Sequence, residues 1–298
     1  LNVKKATGPD LIGNRILKTC SVPLARPLQM LFQKSIDHGT FPTIWKSSNI
    51  TLAFKKGSRQ QVQNYRPISL LCNISKLFEQ ILYTKLYSHL NNDLLTPLNS
   101  GFRKGDGTIN QLIYITHNIF LELEMQKDVQ FVFLDFSKAF DKVWHKGLIY
   151  KLQMLGIGGN LLDLVKSYLN YRIQHVVIDG IKSKANLVRA GVPQGSVLGP
   201  LLFLVYINDL PDCVSCNVNL FADDSVIWTP VSDPQTAIDA LNRDLENAYQ
   251  WALKWNMSLN ADKTVTMCVS NRRRGVYYSN LMIDDIDLHK VTSHKHVG

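Results

Sequence analysis

Two adjacent carboxylates, Asp223 and Asp224, interrupt a run of apolar and β-branched residues between positions 219 and 228. The residues on both sides have strand propensity, so the pattern predicts a β-hairpin with the aspartates at its turn. Burying ionised carboxylates in such surroundings costs on the order of several kcal/mol unless a cation or hydrogen-bond donors replace the lost water. The pair therefore favours a site for a divalent metal ion.

The composition is that of a globular protein with a basic surface. The 298 residues are 45% hydrophobic and 19% charged, and the formal net charge is +9. Basic side chains that neutralise phosphates release counterions, so this charge favours a phosphate-rich partner. Five cysteines, an odd number, argue against a disulfide framework and for a reducing, intracellular compartment. The longest apolar stretch, residues 197–207, is too short to span a bilayer, so no membrane partner is expected.

The order of the strand and helix patterns indicates the fold class. They mix without regular alternation, which favours an α+β fold over a doubly wound sheet. Residues 129–134 are almost wholly apolar and end in Asp135, as in a central strand whose carboxyl end opens on a site. A sheet that places this strand beside the hairpin would gather Asp135, Asp223 and Asp224 at one edge. Such a set suits two Mg²⁺ ions about 4 Å apart, although each aspartate alone also fits a turn or a cap.

Six short motifs follow one another along nearly the whole chain. They are YRPISLL at 65–71, GFRK at 101–104, LDFSKAFD at 134–141, GVPQGSVLGP at 191–200, FADD at 221–224 and LNADKT at 259–264. Each motif alone is weak, but the six in this order are specific. With them, the chain resembles the reverse transcriptase domain of non-LTR (LINE-type) retrotransposons.

The resemblance implies a right-hand polymerase. Its fingers would comprise residues 1–127 with part of 141–190, its palm residues 128–298, and the fragment would lack a thumb. The resemblance also implies that Asp135, Asp223 and Asp224 hold two Mg²⁺ ions, or Mn²⁺ in their place, with the backbone carbonyl of Phe136. Lys263 matches the lysine that protonates the departing pyrophosphate, and a surface lysine before a strand is the alternative.

Other positions match the family's substrate contacts. Phe140 corresponds to the aromatic wall beneath the sugar, where a bulky ring would clash with a ribose 2′-hydroxyl; a core aromatic at a helix start is the alternative. Gln194 and Gly195 match the loop that lies along template and nucleotide, and glycine would let the backbone approach a base pair closely. An ordinary turn is the alternative there.

The basic residues near the first motif match positions that grip the triphosphate in the family. These are Arg66, whose guanidinium offers the forked donor geometry that phosphate favours, and one of Lys55 or Lys56. A solvated basic loop is the alternative for all three.

The resemblance implies an RNA-directed DNA polymerase that copies element RNA into DNA, with an RNA template, a DNA primer and dNTPs as partners, in the nucleus and cytoplasm. The chain begins at Leu1 without an initiator Met, which indicates a piece of something longer. Two other functions stay open. One is a catalytically silent nucleic-acid-binding remnant of such an element. The other is a viral RNA-dependent RNA polymerase, which Ala222 and Phe140 disfavour.

Several polar residues fit simpler roles. Asp284 and Asp285 match a hairpin turn, Asp141 a helix cap, and Cys213 with Cys216 a plain loop. The run 272–274, three arginines, would either touch a nucleic-acid backbone or lie in a solvated turn. The family's Lys-Tyr-Leu-Gly is replaced at 295–298 by Lys-His-Val-Gly, which puts a primer grip in doubt.

Overall fold

The protein is described by a computed structural model over residues 1–272 and 280–296, and it mixes helices and strands as the α+β prediction requires. The helices are α1 (Asn14–Thr19), α2 (Ser21–Asp37), α3 (Asn73–Leu90), α4 (Thr108–Glu124), α5 (Ala139–Lys142), α6 (His145–Met154), α7 (Gly159–Leu169), α8 (Leu198–Ile207) and α9 (Pro234–Lys254). The strands are β1 (Ser47–Phe54), β2 (Tyr65–Leu70), β3 (Asp128–Leu134), β4 (Arg172–Ile178), β5 (Ile181–Lys182), β6 (Asn186–Val188), β7 (Asn217–Phe221), β8 (Asp224–Val231), β9 (Val265–Val269), β10 (Met282–Ile283), β11 (Ile286–Asp287) and β12 (His289–Lys290).

The chain divides into two compact units. Unit 1 comprises Leu1–Leu94 and Val143–Val205, and unit 2 comprises Leu95–Lys142 and Tyr206–Gly298. The predicted limits, 1–127 with part of 141–190 and 128–298, differ from these units at residues 95–127 and 191–205. Residues 95–127 belong to unit 2 because α4 packs on β3, and residues 143–205, with the 191–200 motif, belong to unit 1.

Unit 1 is built on a mixed sheet in the order β2-β1-β4-β5, with β6 paired to β4. Strands β1 and β2 are antiparallel, whereas β1 and β4 are parallel. Helix α3 buries leucines at i, i+4 spacing together with Phe78, as the pattern of an amphipathic helix requires. Phe78 stacks on Phe32 of α2 at 4.8 Å between ring centroids and lies 5.8 Å from the ring of Phe41. An aromatic cluster therefore fixes α3 in the core of unit 1.

Unit 2 is built on a sheet in the order β12-β9-β3-β8-β7. The central strand β3 is the one predicted from the apolar run before Asp135, and all seven of its residues are buried. It pairs antiparallel with both β8 and β9. On one face, Ile115 of α4 packs against Phe131, Phe133 and Trp228. This packing fixes the end of β3, where Asp135 follows.

No helix in the described ranges, 1–272 and 280–296, combines the length and the apolar run that crossing a membrane requires.

Candidate active site

The strand order of unit 2 brings two of the predicted aspartates to neighbouring positions. Leu134, the last residue of β3, is opposite Ser225 of β8. The register of an antiparallel pair runs in opposite directions along the two strands, so extending this register by one residue would set Asp135 opposite Asp224. The backbone therefore places Asp135 beside the hairpin that carries the other two aspartates.

The remaining aspartate lies in the turn between β7 and β8. These strands are antiparallel, with Phe221 opposite Asp224, so Ala222 and Asp223 form a two-residue turn. The hairpin prediction is confirmed. Asp223 is half-buried and Asp224 is exposed. Ala222 has a φ of +57°, a left-handed conformation that a residue with a Cβ rarely adopts.

The LNADKT segment lies directly against Asp135. The Asn260 N–H donates to the carbonyl of Asp135 at 2.9 Å, and the Asp135 N–H donates to Oγ1 of Thr264 at 3.2 Å. The exposed Lys263 lies within this segment, and its own N–H donates to the Asn260 carbonyl at 3.1 Å. Lys263 is thus carried on a turn that is hydrogen-bonded to the backbone of Asp135.

The two aromatic residues after Asp135 differ in burial. Phe136 is 5% exposed and packs edge to face against Trp251 of α9, so its backbone carbonyl is the atom that could serve a metal. Phe140 is half-buried and meets the ring of Phe102 edge to face, with centroids 5.9 Å apart. Phe140 is therefore not a fully buried core aromatic.

Unit 1 holds the other predicted substrate contacts. The Ser69 N–H of β2 donates to the carbonyl of Gln194 at 2.7 Å. Gly195 has a φ of +118°, and a Cβ added there would lie 2.6 Å from the carbonyl oxygen of Ser69. Glycine is thus required because β2 passes so close, a reason that the sequence does not reveal.

The predicted phosphate-binding residues lie on or beside the same strand. Arg66 is an exposed residue of β2 opposite Ala53 of β1. Lys55 and Lys56 are exposed in the loop after β1, where the Lys55 N–H donates to the Asn64 carbonyl at 2.8 Å. Strand β2 therefore links Arg66 to the Gln194 loop through Ser69, and the lysines lie on the loop that joins β1 to β2.

The family of the chain follows from comparison with known proteins. A model described as reverse transcriptase (RNA-dependent DNA polymerase) matches residues 54–295. The chain belongs to the reverse transcriptase family. This domain is 35% identical over 282 residues to the RNA-directed DNA polymerase from mobile element jockey of Drosophila melanogaster, with 91% of this chain and 31% of that protein covered. It is 33% identical over 280 residues to the probable RNA-directed DNA polymerase from transposon X-element of the same species, with 91% and 30% covered.

These relatives confirm the resemblance to non-LTR retrotransposon polymerases. The reverse transcriptase domain spans about a third of their length. Its structure is similar to that of apo telomerase from Candida tropicalis truncated from its C-terminal domain, with a TM-score of 0.57 at 12% identity, covering 84% of this chain and 54% of that one. This likeness shows the fold alone, and it confirms the predicted right-hand polymerase architecture.

The donor set of the reverse transcriptase domain fits Mg²⁺ in its chemistry. Asp135, Asp223, Asp224 and the carbonyl of Phe136 offer only oxygen, the donor atom that Mg²⁺ prefers. Within residues 1–272 and 280–296, no three His, Cys, Asp or Glu side chains gather closely enough to hold one ion. Mg²⁺ is usually bound by one or two carboxylates together with substrate phosphates. A site in which substrate phosphates supply the remaining ligands therefore agrees with the oxygen donors and with the lack of a three-residue cluster in the described ranges.

The structure also contains a buried acid that the sequence interpretation missed. Glu79 of α3 is fully buried, and its Oε2 accepts from the N–H groups of Val197 at 2.8 Å and Leu198 at 3.3 Å. Its Oε1 accepts from Oγ of Ser75 at 3.0 Å. Burial raises the pKa of Glu79, while the charge of the buried Arg172 opposes the rise. The signal was a glutamate at an apolar position of an amphipathic helix.

This carboxylate holds the first turn of α8, immediately after the Gln194 loop. The same loop is fixed at its start, where the Gly191 N–H donates to the Val143 carbonyl at 2.8 Å and the ring Nε2 of His145 lies 2.8 Å from the Gly191 carbonyl. Burial lowers the pKa of His145. The loop is therefore held at both ends within unit 1.

The structure also shows where several polar residues with simpler predicted roles lie. Asp284 and Asp285 form the turn between β10 and β11 with φ values of +50° and +58°, as predicted for a hairpin. Arg272 pairs with Asp128 at 3.5 Å, whereas residues 273 and 274 lie outside the described residues. His294 stacks on Phe133 with centroids 4.0 Å apart, and the last two residues, 297 and 298, also lie outside the described part.

Proposed function

We propose that this domain catalyses RNA-directed DNA synthesis, extending a DNA primer on an RNA template with dNTPs as part of a longer retrotransposon polymerase. The observation that carries the proposal is the register of β3 with β8, which pairs Leu134 with Ser225 and so brings Asp135 beside the hairpin turn that contains Asp223. The named relatives, RNA-directed DNA polymerases of mobile elements, support the same reaction.

In the proposed site, Asp135, Asp223 and Asp224 hold two Mg²⁺ ions with the carbonyl of Phe136, and Mn²⁺ is the alternative ion. When bound, such a pair lowers the pKa of an attacking hydroxyl and stabilises a leaving oxygen. The carboxylates fix where the primer end and the α-phosphate lie, because positioning supplies much of the rate in this chemistry. Lys263, on the segment bonded to Asp135, would donate a proton to the departing pyrophosphate.

The other proposed roles concern the choice and binding of substrate. The half-buried ring of Phe140 would exclude the 2′-hydroxyl of a ribonucleotide. Arg66 would bind the triphosphate through its forked guanidinium, with Lys55 and Lys56 adding charge. Gln194 and Gly195 would lie along the template and the incoming nucleotide. Element RNA and a primer at a nicked chromosomal target would place this work in the nucleus and cytoplasm.

The test is primer extension by the complete polymerase that contains this chain, on an RNA template with a DNA primer, Mg²⁺ and dNTPs. Asp223→Asn is expected to lower the rate by about 10²–10³-fold, the usual effect of removing one group that stabilises transition-state charge. The matched control is Asp285→Asn, also a hairpin-turn aspartate of unit 2, which should keep the wild-type rate.

Wild-type rates in Asp223→Asn would contradict the proposed site. A wild-type protein that binds the RNA–DNA duplex without extending it would instead support the silent remnant.

A further inference from the structure

A short segment after Pro97 runs alongside the edge strand β7 in unit 2. The Leu220 N–H donates to the carbonyl of Leu98 at 2.8 Å, and the Ser100 N–H donates to the carbonyl of Leu220 at 3.0 Å. Asn99 forms a parallel bridge with Leu220. Residues 98–101 therefore extend the sheet beyond β7 and lie next to the turn that holds Asp223.

The side chain of Asn99 reaches that turn. Its Oδ1 accepts from the Ala222 N–H at 3.2 Å and from the Gly101 N–H at 3.0 Å. Asn99 is 3% exposed and Ala222 is 4% exposed, so water does not readily replace this contact. The hydrogen bond from Ala222 to Asn99 joins residues 123 positions apart, and Ala222 directly precedes Asp223.

Two features suggest that this contact has a role beyond stabilising the fold. Ala222 has the left-handed φ of +57°, which is unfavourable for a residue with a Cβ and persists only where neighbours impose it. The Nδ2 of Asn99 is buried and has no hydrogen-bond partner among residues 1–272 and 280–296. The side chain therefore acts through Oδ1 alone, and the unpaired Nδ2 offsets part of the stability that its two accepted hydrogen bonds contribute.

Gly101 also lies against the Ala222–Asp223 turn, through its backbone. A Cβ added there would lie 2.3 Å from the Ala222 nitrogen and 2.9 Å from the carbonyl carbon of Phe221. Glycine thus lets the segment approach the turn closely enough for Oδ1 of Asn99 to accept from it. Together, Asn99 and Gly101 hold the backbone of the turn in one conformation.

We propose that Asn99 is a positioning residue for DNA synthesis, whose Oδ1 fixes the Ala222–Asp223 turn so that the Asp223 carboxylate is presented to Mg²⁺. This inference rests on the proposed function of the same turn. Without Oδ1, the buried Ala222 N–H loses its acceptor and the strained φ loses its support, so the turn relaxes and moves the carboxylate. A displacement of about 1 Å at a reacting centre can lower a rate by about 100-fold.

The experiment compares Asn99→Ala with Asn99→Asp in the complete polymerase. Asn99→Ala is expected to lower kcat by about 10- to 100-fold. It should also raise the Mg²⁺ concentration needed for half-maximal rate, with no change in affinity for the RNA–DNA duplex. Asn99→Asp keeps an oxygen acceptor and should restore part of both quantities, since its buried carboxylate also carries a desolvation cost. Amide hydrogen exchange at Ala222, measured without metal, should quicken in Asn99→Ala and stay slow in Asn99→Asp.

The matched control is Asn219→Ala. Asn219 is a buried asparagine of β7 whose Oδ1 accepts from Nε1 of Trp228 at 3.0 Å, so its loss also weakens the sheet. This variant should lower Tm and keep the wild-type Mg²⁺ dependence. If Asn99→Ala does not fold, Asn99→Leu replaces it in the experiment, because leucine retains the side-chain volume and removes both polar atoms.

A wild-type Mg²⁺ dependence and rate in the alanine or leucine variant would overturn the proposal. So would the same shift in Asn219→Ala, because it would mark a general loss of stability. An inactive wild-type protein would contradict the proposed function instead, so the two failures are distinguishable.

Discussion

Truncation of Glu79 to alanine is expected to lower the free energy of unfolding of unit 1 by about 3–5 kcal/mol, because it leaves a cavity in the core and buried donors without their acceptor. The side chain is fully buried and accepts hydrogen bonds from the first turn of α8 and from Ser75. Truncation leaves the buried Leu198 N–H without this acceptor and removes the carboxyl group that interacts electrostatically with the buried Arg172.

The magnitude follows from the groups left behind. An unsatisfied buried donor costs about 1–3 kcal/mol, and charged groups cost more. Because the donors share one carboxylate, their losses do not add, and the cavity left by the side chain supplies the rest of the expected cost. Glu79→Gln keeps the volume and one carbonyl acceptor, so a smaller loss, about 1–3 kcal/mol, is expected for it.

The assay is urea unfolding at neutral pH combined with hydrogen exchange at the amides of Val197 and Leu198. Both amides should lose protection in Glu79→Ala. The matched control is Tyr168→Phe, which removes only a hydroxyl that donates to Glu79 at 3.4 Å and should cost about 1 kcal/mol or less. A Glu79→Ala protein within about 1 kcal/mol of wild type, with both amides protected, would refute the reasoning, since that loss is no more than one ordinary hydrogen bond.

Three further predictions concern the loop and the sugar wall. Gly195→Ala should lower kcat/KM for primer extension, because its Cβ would lie 2.6 Å from the Ser69 carbonyl oxygen. The control is Gly158→Ala, whose Cβ would have no atom within 4 Å and which should keep the wild-type kcat/KM. Equal kcat/KM values for the two variants would contradict the close approach of β2 to Gly195. Burial lowers the pKa of His145 below 6.5, so the unfolded chain takes up the proton first and stability should fall as pH drops from 6.5 through the folded-state pKa. Denaturant midpoints at several pH values check this, and His145→Gln should flatten the profile. Phe140→Ala should reduce the preference for dNTPs over NTPs, measured as a ratio of kcat/KM values, by about 10-fold or more; an unchanged ratio would contradict the wall.

The parts of the site that the sequence predicted are those with a local signature. The apolar run before Asp135 is long enough to identify a buried strand, and the paired aspartates between strand-like residues identify a hairpin. Predicting that Asp135 and the aspartate hairpin lie at one sheet edge also depended on the resemblance to reverse transcriptases, because the order of strands in a sheet is not a local property of the sequence. The register of β3 with β8 then agrees with the predicted edge.

The residues that were missed act over long separations in sequence. Asn99 contacts Ala222 across 123 positions and Glu79 contacts Val197 across 118. A local pattern shows that a polar residue lies in an apolar context, but not which backbone groups it meets. The compact units change at residue 94 and not at 127, which the amphipathic pattern of α4 does not reveal because it does not show which sheet the helix packs on.

The most direct test of the central claim is anomalous diffraction from Mn²⁺ in crystals of the complete polymerase bound to an RNA template, a DNA primer and an unreactive dNTP analogue. We expect two anomalous peaks about 4 Å apart, with the carboxylates of both Asp135 and Asp223 in contact with the ions. Ions bound elsewhere, or an Asp135 that contacts neither ion while the nucleotide is in place, would contradict that claim.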